Sequence, residues 1–127
     1  MLKVHCPVDC GNAPRKQVLK DFNIAFAAGD VDAVLSIVHD DIVWDIVGER
    51  RVEGKAAMRA TLEAMKDSRA TELHIHHIIT HGNQAAAHGV LTFEGGMKYA
   101  FCDVYVFAGF SKTAKLRQIT SYGLELR

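Results

Sequence analysis

The spacing of apolar residues changes character twice along this chain. Leu19, Phe22 and Phe26 recur at intervals of three and four, the stripe of an amphipathic helix. Asn12 is placed to cap that helix, Pro14 falls in its first turn and Gly29 ends it. Asp30 then caps a shorter helix whose apolar face is Val31, Val34, Leu35 and Val38. The period shifts to a β-branched run, Ile42-Val43-Trp44-Asp45-Ile46-Val47, closed by Gly48, with Arg50 to Glu53 as its short return. Gly54 opens a third helix with Met58, Leu62 and Met65 on one side. From Thr71 onward the pattern alternates in long strands: Thr71 to His81, Gln84 to Phe93, Met97 to Phe107 and Ala114 to Leu126. Gly82-Asn83 and Gly95-Gly96 supply the turns between the first three. Helices first and strands afterwards predict an α+β fold, three N-terminal helices packed on a strongly curved antiparallel sheet.

If both glycine turns are tight two-residue hairpins, they fix which side chains share a face. His81 then opposes Gln84, so His77 opposes His88. Glu94 opposes Met97, so His88 opposes Asp103. His77, His88 and Asp103 form a row across three strands on the aromatic face, with Tyr99, Phe101 and Tyr105. Ile79 and Val90 share that face in this register. The other face carries Ala85, Ala87, Gly89, Leu91, Phe93, Ala100, Cys102, Val104 and Val106. Two apolar faces and only three helices predict that a second copy covers the outer one, giving a homodimer.

Composition narrows the partners. The 127 residues are 49% hydrophobic and 24% charged, ordinary for one packed domain. Fifteen basic and fifteen acidic side chains cancel, which argues against nucleic acid or an anionic membrane as partner. No apolar run approaches a spanning helix and the first residues hold no apolar leader core, so the expected location is cytoplasmic. Three cysteines, Cys6, Cys10 and Cys102, make no disulfide framework. Residues 1–13 read as an N-terminal tail, mobile or docked, and 14–127 as a single domain.

The row of ionisable residues holds the candidate chemistry. A carboxylate beside an imidazole holds its tautomer and raises its basicity, so His88 with Asp103 can take a proton from a carbon acid or a water. The plainer alternative is a hydrogen bond that satisfies two polar groups beneath the helices. Two histidines and a carboxylate can also hold iron, but no compact ligand motif is present, and neither a metal nor a cofactor is expected. Asp45 lies mid-strand among apolar residues, where an ionised carboxylate is costly. It reads as a second acid or base, or as the ion-pair partner of Arg50 or Arg51. Phe22, His77, Tyr99, Phe101, Tyr105, Leu116, Gln118 and Tyr122 are the expected lining of a pocket for a small hydrophobic molecule.

The order of elements resembles the nuclear transport factor 2-like superfamily, a cone-shaped fold, and within it the SnoaL-like polyketide cyclases and ketosteroid isomerases. The carrying segments are Ala27 to Val34, Asp41 to Gly48, Val52 to Met58 and Asp103 to Phe107. By that resemblance the isomerase's general-base aspartate falls on Asp45, and its protonated, hydrogen-bond-donating aspartate on Asp103. The oxyanion-hole tyrosine falls on Phe22, which has no hydroxyl, and the proline after the base is Ile46. The aspartate–arginine–aspartate set of epoxide hydrolases of this fold would need an arginine where Phe101 stands. The resemblance implies an enzyme of isomerase, cyclase or dehydratase type with Asp45 removing a proton next to a carbonyl; with the residue row above, His88 and Asp103, supported by Tyr99 or Tyr105, are expected to stabilise the enolate. A non-catalytic binding protein with the same pocket is the alternative.

Overall fold

The structure, a computed structural model, describes residues 2–7, 13–111 and 113–126. The elements in chain order are β1 (Lys3–His5), α1 (Pro14–Ala28), α2 (Val31–Leu35), β2 (Val38–Ile46), β3 (Arg50–Glu53), α3 (Lys55–Met65), β4 (Ala70–His81), β5 (Gln84–Phe93), β6 (Lys98–Phe107) and β7 (Leu116–Leu126). One open, curved sheet runs β1-β4-β5-β6-β7-β2-β3. It is mixed and not purely antiparallel, because β1 joins β4 and β2 joins β7 in parallel. Nor are all the helices N-terminal to the sheet, since α3 follows β3.

Local chemistry explains the helix boundaries. The Asp30 carboxylate accepts a hydrogen bond from the Ala33 amide at 3.2 Å and starts α2. Gly29 adopts φ +73° and turns its amide back on the carbonyls of Ala25 and Phe26, which ends α1. The residue at the α1 N-cap position is Ala13, with Pro14 following; Asn12, expected there, and Cys10 lie outside the described residues. Val38, expected on the α2 face, begins β2 instead.

The core lies between the helices and the concave side of the sheet. Leu19 and Phe22 of α1, Val34 of α2 and Met58 and Leu62 of α3 pack on Leu73, Ile75, Tyr105, Phe107, Leu116 and Ile119. Phe22 meets Tyr105 edge-on with centroids 6.0 Å apart.

Two irregularities set the phase of the meander. The Gly82-Asn83 hairpin is tight, with His81 opposite Gln84 and His77 opposite His88. The second connection is a three-residue loop, Glu94 to Gly96, closed by the Phe93 amide on the Met97 carbonyl at 2.8 Å. Gly95 and Gly96 hold φ +91° and +92°, a conformation other residues rarely take, so the glycine pair makes this loop possible. The extra loop residue slides β6 by one position: His88 opposes Cys102, and Asp103 opposes Ala87. The second irregularity is a bulge in β4. Ile75 opposes Gly89 and His77 opposes His88, so His76 is the extra residue. Beyond the bulge Ile78 is buried and Ile79 is 63% exposed.

The two faces are therefore sorted differently from the expectation. Ala85, Ala87, Gly89, Leu91 and Phe93 face the helices, and His88 and Val90 take the outer side with Ala100, Cys102 and Val104. At Gly89 the strands come so close that a Cβ would collide with the His74 carbonyl oxygen and crowd the Ile75 Cα.

Candidate functional site

Between the helices and the concave sheet lies a cavity of about 480 Å³. Phe22 and Phe26 of α1 and Met58 and Met65 of α3 form one wall. Trp44 and Ile46 of β2, Leu91 and Phe93 of β5, Tyr99 and Phe101 of β6 and Ile119 of β7 form the other. The lining is mainly apolar, with a few polar groups that converge on it.

Asp103 is the most consequential of these. Alternation along β6 turns Tyr99, Phe101, Asp103 and Tyr105 toward the helices, and the burial of Tyr105 holds that phase. Two hydrogen-bonded chains end on its carboxyl group. In the first, Asn23 of α1 donates to the Tyr105 hydroxyl at 3.1 Å, and that hydroxyl donates to Asp103 Oδ2 at 3.2 Å. In the second, Trp44 Nε1 donates to Ser121 Oγ at 3.0 Å, and the Ser121 side chain is hydrogen-bonded to Asp103. Because each hydroxyl oxygen already receives an N–H, its own hydrogen is directed at the carboxyl group.

The electrostatics follow from that enclosure. Burial pushes the Asp103 carboxyl up to about 6 from 3.8, against the opposing pull of the Ser121 and Tyr105 hydrogen bonds. Burial, together with the charge of Asp103, holds the Tyr105 phenol well above its ordinary range, so it stays a donor. The Cys102 thiol on the outer side is also raised, by burial first and by Asp103 second.

Several expected site residues lie elsewhere. The row His77–His88–Asp103 does not form. His88 and His77 meet each other on the outer face, with His77 Nδ1 2.8 Å from His88 Nε2, and the three-residue loop puts Asp103 on the opposite side of the pleat. Asp45 does not face the cavity, because Trp44 and Ile46 take the inward positions of β2. It stands between Arg51 and Thr120 on the far side, and the Arg51 guanidinium bonds Glu53 at 3.1 Å. Gln118 is exposed beside Val106 on the outer face, and Leu116 is buried in the core away from the cavity. Phe22, Tyr99 and Phe101 line the cavity, Tyr105 lies beneath Asp103, and Tyr122 stands at the cavity edge, half exposed.

The structure adds Asn23, Trp44, Ser121, Arg50 and Thr61 to the site. Asn23 carried a readable signal: a polar residue beside Phe22 and four after Leu19 lies within the apolar stripe of α1. Arg50 donates to the Thr61 hydroxyl at 3.2 Å, and that hydroxyl donates to the Ala57 carbonyl at 3.0 Å. Among the described residues, no group of three or more His, Cys, Asp or Glu side chains is arranged to hold a metal ion. No described helix is long and apolar enough to cross a membrane.

Comparison with known proteins places this geometry. A search of curated proteins finds no match to the chain. Among solved structures, an NTF2-like protein of unknown function from Burkholderia xenovorans LB400 superposes with a TM-score of 0.74 at 21% identity, covering 90% of this chain and 85% of that one. One from Cytophaga hutchinsonii ATCC 33406 has a TM-score of 0.65 at 25% identity, covering 85% and 97%. SalBIII, an epoxide hydrolase/cyclase-like enzyme with a role in pyran ring formation in the polyether salinomycin, has a TM-score of 0.74 at 18% identity, covering 90% and 93%. The SnoaL-like domain profile matches residues 19–112, the span from the first buried leucine of α1 through β6, and the chain belongs to the SnoaL-like domain family of the nuclear transport factor 2-like superfamily.

Proposed function

We propose that this chain is a small-molecule enzyme of isomerase, cyclase or dehydratase type in which Asp103 moves a proton next to a carbonyl of an apolar substrate. The observation that carries the reading is a buried carboxyl group, pushed up to about 6 and held by the Tyr105 and Ser121 hydroxyls, at the wall of a mainly apolar cavity. At neutral pH most of that group is ionised and can accept a proton. Once protonated it lies close enough to its own pKa to return the proton elsewhere on the substrate. The Tyr105 and Ser121 hydroxyls steady the anion, and the aromatic walls exclude water from the reacting carbon. Family membership supports a cyclase or isomerase type of reaction. The role assigned by resemblance to Asp45 passes in this reading to Asp103, because Asp45 lies outside the cavity.

The test is deuterium exchange. Apolar cyclic ketones and 1,3-diketones are incubated with the protein in D₂O, and loss of the α-proton is followed by NMR. The expected result is exchange that rises with pH through about 6 and disappears in Asp103→Asn. Exchange that survives in Asp103→Asn removes that residue from the mechanism. Ligand binding without exchange in the native protein supports the second reading, a non-catalytic binding protein, which the missing hydroxyl at Phe22 favours.

We further propose a homodimer through the outer sheet face. Ile79, Val104 and Leu124 are 63%, 40% and 66% exposed there, a concentration of apolar surface that a second copy would cover. Light scattering after gel filtration is expected to give twice the chain mass, and Val104→Glu to give the single mass. A native monomer at micromolar concentration overturns this.

A further inference from the structure

We propose that the cavity's ligand carries a carboxylate at the end away from its reacting carbonyl, and that Arg50 receives it. The inference rests on the reading that Asp103 works on a ligand in this cavity, and it names that ligand's class and orientation.

The sheet register carries the argument. Asp103 of β6 opposes Ser121 of β7, Ser121 pairs with Ile46 of β2, and Ile46 opposes Arg50 of β3. The four residues form one lateral row, and all four line the cavity. Neighbouring strands lie ~4.8 Å apart, so the α-carbons of Asp103 and Arg50 are separated by roughly 14 Å along the sheet. The reach of the two side chains shortens that gap to the length of a medium-sized organic molecule. Between them the row holds Ser121, whose hydroxyl is committed to Asp103, and then Ile46, with Trp44 and Ile119 as apolar neighbours.

The guanidinium end is built. Thr61 is only 8% exposed, and its hydroxyl both anchors to the Ala57 carbonyl and accepts from Arg50 Nη2, drawing the guanidinium toward α3 and the cavity wall. Neighbouring Arg51 is engaged with Glu53, whereas no carboxylate among the described residues lies within ion-pair distance of Arg50. Glu49 lines the same cavity without pairing with it. Arg50 therefore keeps most of its five donors for a planar acceptor, which a carboxylate fits in a two-point geometry. The opposite pole is itself acidic, and an ionised Asp103 repels an anionic end. The two poles together orient the ligand, with its acid toward β3 and its neutral carbonyl toward β6.

The test compares octanoate with methyl octanoate, which share an apolar chain and differ in charge, by NMR titration of the isotope-labelled protein. Octanoate is expected to bind about tenfold tighter than the ester. Arg50→Gln is expected to erase that preference by weakening octanoate far more than the ester, and Arg50→Lys to restore part of it. Equal affinity of the two probes, failure of octanoate to bind, or an Arg50→Gln variant that weakens both alike overturns the proposal. Asp103→Asn separates the two readings: it is expected to keep the octanoate preference while losing deuterium exchange. Retained exchange in that variant refutes the base and leaves the anion site standing, and a lost preference in Arg50-intact Asp103→Asn refutes the anion site.

Discussion

Asp103→Asn is expected to stabilise the folded chain at neutral pH, although it removes the group proposed to do the chemistry. The magnitude follows from linkage. An aspartate that titrates near 3.8 in the unfolded chain and near 6 in the fold favours its neutral form on folding. The difference is worth ~3 kcal/mol at ~1.4 kcal/mol per pH unit. Below about 3.8 the group is neutral in both states and costs nothing. As pH rises from there, the unfolded state loses its proton first, so stability falls until pH passes about 6, and the cost is constant above that. The amide does not recover the full amount. Its oxygen can accept from one hydroxyl, but its N–H₂ faces groups already oriented as donors, and roughly 1 kcal/mol is lost there. The expected net gain at neutral pH is ~1–2 kcal/mol. Urea unfolding of both proteins, followed by far-ultraviolet circular dichroism from about pH 4 to about pH 7.5, reads the effect as the gap between the two stabilities. That gap should move in favour of the variant with rising pH and level off above about 6. A gap that stays constant across the window, or that moves the other way, refutes the assignment of Asp103 as a buried carboxyl with a raised pKa.

Other outcomes follow from the same contacts. Tyr105→Phe deletes a hydrogen bond that holds the Asp103 value down, so the carboxyl should titrate above 6 by carbon-13 NMR. His88→Gln should leave the Asp103 titration unmoved, since the two side chains lie on opposite sides of the sheet; a clear shift would restore the row expected from tight hairpins. The same variant should raise the His76 value, which burial lowers first and the charges of His74, His88 and His77 lower further; proton NMR of the ring reads it. With its folded value below the unfolded one, His76 removes stability as pH falls through about 6.5. Gly89→Ala should cost several kcal/mol or prevent folding, because its Cβ meets backbone that cannot rotate away. An Ala variant of near-native stability would overturn the close strand approach.

The parts of the fold that were legible rest on large side chains voting together. Leu19, Phe22 and Phe26 leave one orientation for α1, and Tyr99, Phe101, Tyr105 and Phe107 leave one phase for β6, which turns Asp103 to the same side. β5 gives a weaker vote. Through its first half the two sets, Ala85-Ala87-Gly89 and Ala86-His88-Val90, are both small; Leu91 and Phe93 at its end favour the first set, a signal that the assumption of a two-residue loop overrides. A Gly-Gly pair serves a two-residue or a three-residue loop with the same composition, and the single residue of difference moved His88 to the far face. The β4 bulge is hidden for a related reason. Ile78 and Ile79 are equally good core residues, and only the packing picks Ile78. Asp45 fell on the wrong side because Ile42-Trp44-Ile46 and Val43-Val47 are both apolar; the tryptophan, with its volume and its N–H for Ser121, takes the interior. Ser121 and Arg50 were out of reach for sequence reasoning, since their role depends on parallel pairing of β2 with β7, a contact between segments far apart in the chain.

Trp44 has a practical consequence. It is the chain's only tryptophan, it lines the cavity, and its indole N–H is tied through one hydroxyl to the carboxyl group at the cavity wall. Emission from a single indole so placed is expected to change on guest entry and with the charge of a carboxyl group two hydrogen bonds away. Unlabelled protein therefore carries its own optical gauge, and libraries of colourless compounds can be screened against it by intensity alone.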